Sequence, residues 1–170
     1  MRLIGLLLFI VLSGCLNASE IIKPVECDFE FASAVPCSYN SIKAKLNVKH
    51  TDEDEVLLTS ITVTQNNLIQ KLKFSDEFTF LKGETGYILF SDINFDGKTD
   101  IAITTSFGTP NLYLSYWIFN SDSKRYEFIG NFCKLSIDDK LKTLSNSEKI
   151  NAAKYRNNQY FWKNNTLIKK

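Results

Sequence analysis

The sequence is poor in the residues that build the commonest catalytic and metal-binding sites. Among 170 residues there is one histidine, His50, and no Cys-x-x-Cys pair, which excludes the usual zinc shells of cysteine and histidine. There is no Gly-x-Ser-x-Gly elbow, no glycine-rich phosphate loop and no His-Glu-x-x-His stretch, so catalysis by those routes is not expected. Isolated carboxylates such as Glu30, Asp76 and Glu77 carry no glycosidase pattern of their own. Seven glycines and three prolines are too few for a collagen-like or low-complexity chain. A formal net charge of +1 lacks the basic excess of a nucleic-acid binder, so no nucleic-acid partner is expected. No apolar run reaches the length needed to span a bilayer comfortably.

What is present begins with a targeting signal. Arg2 is a short basic region, Leu3 to Leu12 is apolar, and Leu12-Ser13-Gly14-Cys15 follows. That tetrapeptide resembles a bacterial lipobox, in which small residues precede the cysteine that takes a lipid. The expectation is a signal peptide over 1–14, lipidation at Cys15, a polar tether over 15–25 and one folded domain over 26–170. Lipid chains would hold such a protein at a membrane without a transmembrane helix. The compartment expected from this signal is the bacterial periplasm, and Leu16 in place of an aspartate leans toward the outer membrane.

Three further cysteines, Cys27, Cys37 and Cys133, would then meet an oxidising environment. Cys27 with Cys37 closes a short loop and is the first choice of pairing. Cys37 with Cys133 is the competitor. Either leaves one thiol, expected to be buried.

Aromatic residues are plentiful, with 13 Phe, 7 Tyr and 2 Trp, and the patterning reads as strand. Ser41 to Lys49 alternates, with Ile42, Ala44, Leu46 and Val48 on one face. Glu55 to Thr64 is rich in β-branched residues, with Leu57, Thr59, Ile61 and Val63 assigned to one face. Gln65-Asn66-Asn67 turns this strand into one carrying Leu68, Leu72 and Phe74. Tyr87 to Phe90 is a short, fully apolar strand. Ile101 to Thr104, Leu112 to Phe119, Tyr126 to Ile129, and a terminal hairpin about Lys163-Asn164-Asn165 complete the set. Only Ile137 to Tyr155 hints at helix. The fold class expected is all-β: an antiparallel, propeller-like or sandwich-like meander of short strands with at most one short helix. No internal repeat is visible, so a full multi-blade propeller does not fit the length.

One segment carries chemistry. Asp92, Asn94 and Asp96 place oxygen-bearing side chains at alternate positions, Gly97 follows, and Asp100 lies further on. Calcium takes six to eight hard oxygen ligands, and a loop with Asp or Asn at its first, third and fifth positions wraps three of them round one ion. Gly97 permits the sharp turn at the sixth position. The Lys98 carbonyl is the expected backbone ligand, and Asp100 closes the shell. An EF-hand would have a bidentate Glu at the twelfth position and flanking helices. Here that position is Ile103 and strands flank the loop. The pattern resembles the calcium loops of FG-GAP and related β-repeat proteins, with a mainly structural ion.

The stretch from Gly86 to Phe132, about a third of the mature chain, resembles a specific group. Tyr87-Ile88-Leu89-Phe90, the Asp92–Ile101 loop, Thr105-Ser106-Phe107-Gly108, Tyr113-Leu114-Ser115-Tyr116-Trp117-Ile118-Phe119 and Lys124-Arg125-Tyr126-Glu127-Phe128 look like the calcium-binding periplasmic lipoproteins related to lysozyme inhibitors. Some of these are immunity proteins against lysozyme-like effectors delivered by secretion systems. The resemblance implies an all-β, propeller-like fold, a lysozyme-like peptidoglycan hydrolase as partner, and an inhibitory loop that plugs its cleft. The matching segment runs from Ser106 to Tyr113, with Ser106, Phe107, Gly108, Asn111 and Tyr113 as its candidate residues. Gly108 and Pro110 would break the strand, and Phe107 or Tyr113 would be the aromatic anchor. Phe107 stands where a tyrosine is usual in the family, so Ser106 or Asn111 would have to hydrogen-bond the catalytic carboxylate. The alternative function is a non-inhibitory envelope lipoprotein that binds peptidoglycan or another envelope protein. The acidic run Thr51 to Glu55 and the lysines at 163, 169 and 170 read as solvated turn and chain end.

Overall fold

The computed structural model of the chain describes residues 22–32, 35–51, 54–108 and 111–170. The signal segment, Cys15 and the first part of the tether lie outside the described residues, as do Asp52, Glu53, Thr109 and Pro110. Of Phe107 only the backbone is described. Every described element is a β-strand, numbered in chain order, and no helix is present among the described residues.

Three antiparallel sheets are formed. The central one has the order β1-β6-β7-β8-β9, from Val25–Glu30, Thr85–Ser91, Asp100–Gly108, Asn111–Asn120 and Arg125–Cys133. One neighbour is the meander β2-β3-β4-β5, from Cys37–Tyr39, Ile42–His50, Glu55–Gln65 and Leu68–Leu81. The other is the meander β10-β11-β12-β13, from Ser136–Asp138, Thr143–Asn151, Lys154–Lys163 and Thr166–Lys169. Two cores follow from this layering. Ile88, Phe90, Ile101, Ile103 and Trp117 of the central sheet pack with Ile42, Leu46, Val56, Leu58, Ile61, Val63 and Leu72 of β3 to β5. Leu89, Ala102, Leu114 and Tyr116 face the opposite way, onto Leu144 and Tyr160. A sheet covered on both faces needs apolar residues at successive positions, which is why Tyr87 to Phe90 shows no polar alternation.

The turns are set by asparagine. Asn66 and Asn67 (φ 46° and 69°) and Asn164 and Asn165 (φ 48° and 58°) occupy the left-handed region. Each pair closes a two-residue hairpin, between Gln65 and Leu68 and between Lys163 and Thr166. Two left-handed residues in a row suit the twist of the flanking strands, and asparagine tolerates them better than most side chains.

Two expectations need correction. Ile137 to Tyr155 is not helical; it forms β10, β11 and the start of β12. Its inward positions include Leu144 and also Asn146, buried against Asn158 further along β12, so polar residues mask the period-two signal. In β4, Thr59 does not share a face with Ile61 and Val63. The register shifts between Leu58 and Ser60 against both neighbouring strands, and this bulge turns Val56 and Leu58 inward before it and Ile61 and Val63 inward after it.

Cys27 of β1 is bonded to Cys37 of β2, with Cα atoms 5.9 Å apart, and Cys133 is a buried free thiol. The bridge ties the central sheet to the first outer sheet. Replacing both cysteines by alanine is expected to lower unfolding free energy by about 3 kcal/mol, the loop-closure value for a ring of this size. Urea denaturation of the oxidised parent and the double variant measures it, and equal midpoints would show that the link constrains nothing.

Candidate metal centre and the hairpin beyond it

The loop between β6 and β7 is folded by its own side chains. Asp92 accepts hydrogen bonds from the Asp96 and Gly97 amides through Oδ1 (3.0 Å) and Oδ2 (2.8 Å). Asp96 Oδ1 accepts from the Lys98 amide (2.8 Å), and Asn94 Nδ2 donates to Asp96 Oδ2 (3.0 Å). Phe95 and Gly97 both lie at positive φ (63° and 78°), which curls Asp92, Asn94 and Asp96 into one tight turn.

Asp100 is fully buried. Its Oδ2 accepts from the amides of Ile93 (2.7 Å) and Asn94 (3.3 Å), and its Oδ1 from the Phe119 amide of β8 (2.8 Å). One carboxyl thus closes the loop and joins it to the central sheet. Burial pushes the Asp100 carboxyl up to about 8, and the charge of Asp96 adds to the shift. Burial also raises Asp92, again with a contribution from Asp96.

The walls of the loop come from residues that sequence spacing does not disclose. Trp162 of β12 donates from Nε1 to the Ile93 carbonyl (2.9 Å). Tyr126 of β9 donates to Gln65 (3.1 Å) and lies 3.4 Å from the Thr99 carbonyl. Lys142 sits over the Phe95 ring at 4.9 Å. Ile93 is fully buried in the second core. The loop is therefore held by the third sheet, through Trp162 and Lys142, and by β9 of the central sheet, through Tyr126.

Carboxylate and carboxamide oxygens are the donor types a hard divalent cation takes, and here those of Asp92 and Asp96 already accept from the loop's own donors. Asp92, Asn94 and Asp96 lie on one turn, and the carboxyls of Asp92 and Asp100 are held above their ordinary range by burial, so positive charge nearby would favour their ionised forms. A shell of carboxylates alone is not formed. Among the described residues no three acidic, histidine or cysteine side chains converge as a metal-holding group. Any ion would draw on the Asn94 amide oxygen and on a backbone carbonyl as well.

At the opposite end of β7 lies the segment expected to inhibit. Ser106 to Gly108 belong to β7 and Asn111 to Tyr113 to β8, with Gly108 paired to Asn111. Gly108, expected to break the strand, is still part of β7 and paired, and Pro110 lies outside the described residues. Two of its candidates have partners already. Asn111 Nδ2 donates to the Lys149 carbonyl and its Oδ1 accepts from the Lys149 amide, both at 2.9 Å. Tyr113 donates its hydroxyl to Glu148 (2.7 Å), and that carboxylate pushes the phenol above its usual range. Ser106 is exposed.

No protein-family model matches the sequence, and no curated protein matches it. A solved structure described as a Xanthomonas type IV secretion system related protein is similar in fold. The TM-score is 0.57 at 13% identity, over 86% of this chain and 85% of that one.

Proposed function

We propose that this chain is a calcium-stabilised envelope lipoprotein, anchored through Cys15, that binds and inhibits a lysozyme-like peptidoglycan hydrolase, with immunity against a secreted effector as its use. The observation that carries the reading is that the Asp-rich loop and the Ser106–Tyr113 hairpin lie at the two ends of one strand, β7. Asp92, Asn94, Asp96, the Lys98 carbonyl and Asp100 would hold the ion. Calcium would supply charge to a crowded set of oxygens and stiffen the base of the hairpin. A fixed base means little ordering has to occur when the tip enters a cleft. With Asn111 and Tyr113 engaged inside the protein, Ser106 is the described side chain free to meet a catalytic carboxylate. The shared fold with a protein related to a bacterial secretion system is in keeping with the setting of such immunity proteins.

The test is lysis of peptidoglycan by c-type, g-type and i-type lysozymes, with the full chain added in detergent, in calcium and in chelator. Stoichiometric inhibition of one enzyme, with a melting temperature several degrees higher in calcium, is expected. A melting temperature indifferent to calcium would remove the ion from the proposal, and absence of inhibition across the panel would remove the hydrolase.

A second reading, a non-inhibitory lipoprotein that holds peptidoglycan, is favoured by one feature. A cavity of about 440 Å³ is lined by Ser136, Ser145, Asn146, Ser147, Asn157 and Gln159, with Lys134 at its side. Hydroxyls and carboxamides of this kind suit a neutral sugar. Sedimentation of the chain with purified sacculi distinguishes the two readings.

A further inference from the structure

We infer that the contact surface for the hydrolase extends to a second hairpin: the tip of β11–β12, held beside Asn111 at the start of β8, enters the same carboxylate-lined cleft. The inference rests on the inhibitor reading and adds to it residues that the segment Ser106–Tyr113 does not include.

The two tips are joined as one body. The Asn111 carboxamide makes the same pair of hydrogen bonds to Lys149 that a neighbouring strand would make. Two residues further along β8, Tyr113 is bonded to Glu148, whose other oxygen lies 3.7 Å from Arg156. Displacing the β7–β8 tip would break these contacts, so β11–β12 goes wherever the first hairpin goes.

The second tip is also shaped and charged for a partner. The pairing of β11 with β12 shifts register between Lys149 and Asn151, which leaves Ile150 as an unpaired, bulged residue. A bulge re-aims a side chain, and here an apolar β-branched one is left 41% exposed. Tyr155, across from Lys149, is 55% exposed. Tyrosine is among the residues enriched at interface hot spots, and Ile150 adds apolar surface beside it. Arg156 is offset by Glu148, so the positive charge of the tip rests on Lys154 and on Lys149, which lies over the Tyr155 ring, in a chain whose formal net charge is only +1. Glycoside hydrolases that cut peptidoglycan work with a pair of carboxyl groups in an open cleft, and a basic tip is the complement of that field.

The experiment is titration of the hydrolase that the full chain inhibits with Tyr155→Ala, Ile150→Ser and Lys154→Glu variants. The control is Leu141→Ala, a 70% exposed apolar residue on the turn at the other end of the same sheet. All four side chains are exposed, and thermal unfolding in calcium verifies the fold. An inhibition constant raised about tenfold by Tyr155→Ala and by Lys154→Glu, with Leu141→Ala unchanged, is the expected result. Steeper loss of inhibition with added salt for the parent than for Lys154→Glu would accompany it. Full inhibition by all three tip variants would overturn the two-hairpin surface while leaving the inhibitor reading intact. Equal weakening by Leu141→Ala would overturn it as well. Loss of sacculus binding by the tip variants with inhibition unchanged would assign the tip to the polymer and overturn it. If the parent inhibits no enzyme, the inhibitor reading fails first and this inference falls with it.

Discussion

Asp100→Ala is expected to cost about 3–5 kcal/mol of unfolding free energy, measured by urea denaturation in chelator so that no bound ion contributes. The carboxyl serves three backbone amides, that of buried Ile93 and those of half-buried Asn94 and Phe119. A buried donor left without a partner costs about 1–3 kcal/mol, and removing Asp100 strands all three. Part of that loss is offset because a buried carboxyl is itself costly, as its upward shift to about 8 records. Asp100→Asn keeps one acceptor oxygen but turns an amide donor toward other donors, so an intermediate loss is expected. Asp92→Ala strands the amides of Asp96 and Gly97 in an exposed stretch where water replaces the partner, and should cost far less in chelator. If Asp100→Ala and Asp92→Ala were equally mild, the position of Asp100 beneath the loop would be of no structural consequence.

Phe31→Ala is expected to cost about 3–5 kcal/mol as well, through a cavity at the junction of two sheets. Phe31 is fully buried just after β1. It stacks on Phe80 of β5 with centroids 3.5 Å apart, and meets Phe29 edge-on at 4.9 Å. Its ring fills the space left by Gly86 in β6: a Cβ placed there would stand 3.0 Å from Phe31 Cζ and 3.0 Å from Thr104 Cβ. Gly86→Ala alone should therefore cost about 1–3 kcal/mol by overpacking. In the Phe31→Ala background the clash with the ring is gone while that with Thr104 Cβ remains, so the same change should cost clearly less than in the parent. A double-mutant cycle by thermal unfolding reads that coupling, and strict additivity would show that ring and glycine do not compete for the same space.

Much of the scaffold was legible in the sequence because local chemistry and global fold agree there. Paired asparagines marked two of the hairpins. The apolar run Tyr87 to Phe90 marked a strand covered on both faces, and the cysteine spacing favoured the pairing that is found. The loop of Asp92, Asn94, Asp96 and Gly97 was legible as a tight turn lined with oxygens. What escaped was held by side chains acting over long sequence distances. Nothing in the spacing links Trp162 to Ile93, or Asn111 to Lys149. Gln70 belongs with them: its carboxamide bonds both the amide and the carbonyl of Tyr126 at 2.8 Å, lacing β5 to β9 as Asn111 laces β8 to β11. Buried Asn146 and Asn158, joined at 2.8 Å, defeated the periodicity of the third sheet. The bulge at Thr59 reversed a face assignment that strict alternation would have kept.

The register of β1 has a consequence for how the domain would be carried. Val25 pairs with Phe90, next to the Asp-rich loop, and Glu30 pairs with Thr85, away from it. The chain thus arrives from its N-terminal side at the loop end of the central sheet. β7 then runs from Asp100 at that end to Gly108 at the other, a span of about 30 Å for an extended strand. On a lipid anchor the molecule would hang like a hook on a short cord. Its Asp-rich end would face the membrane, and Gly108 and the β11–β12 turn would point the other way, a strand's length further out.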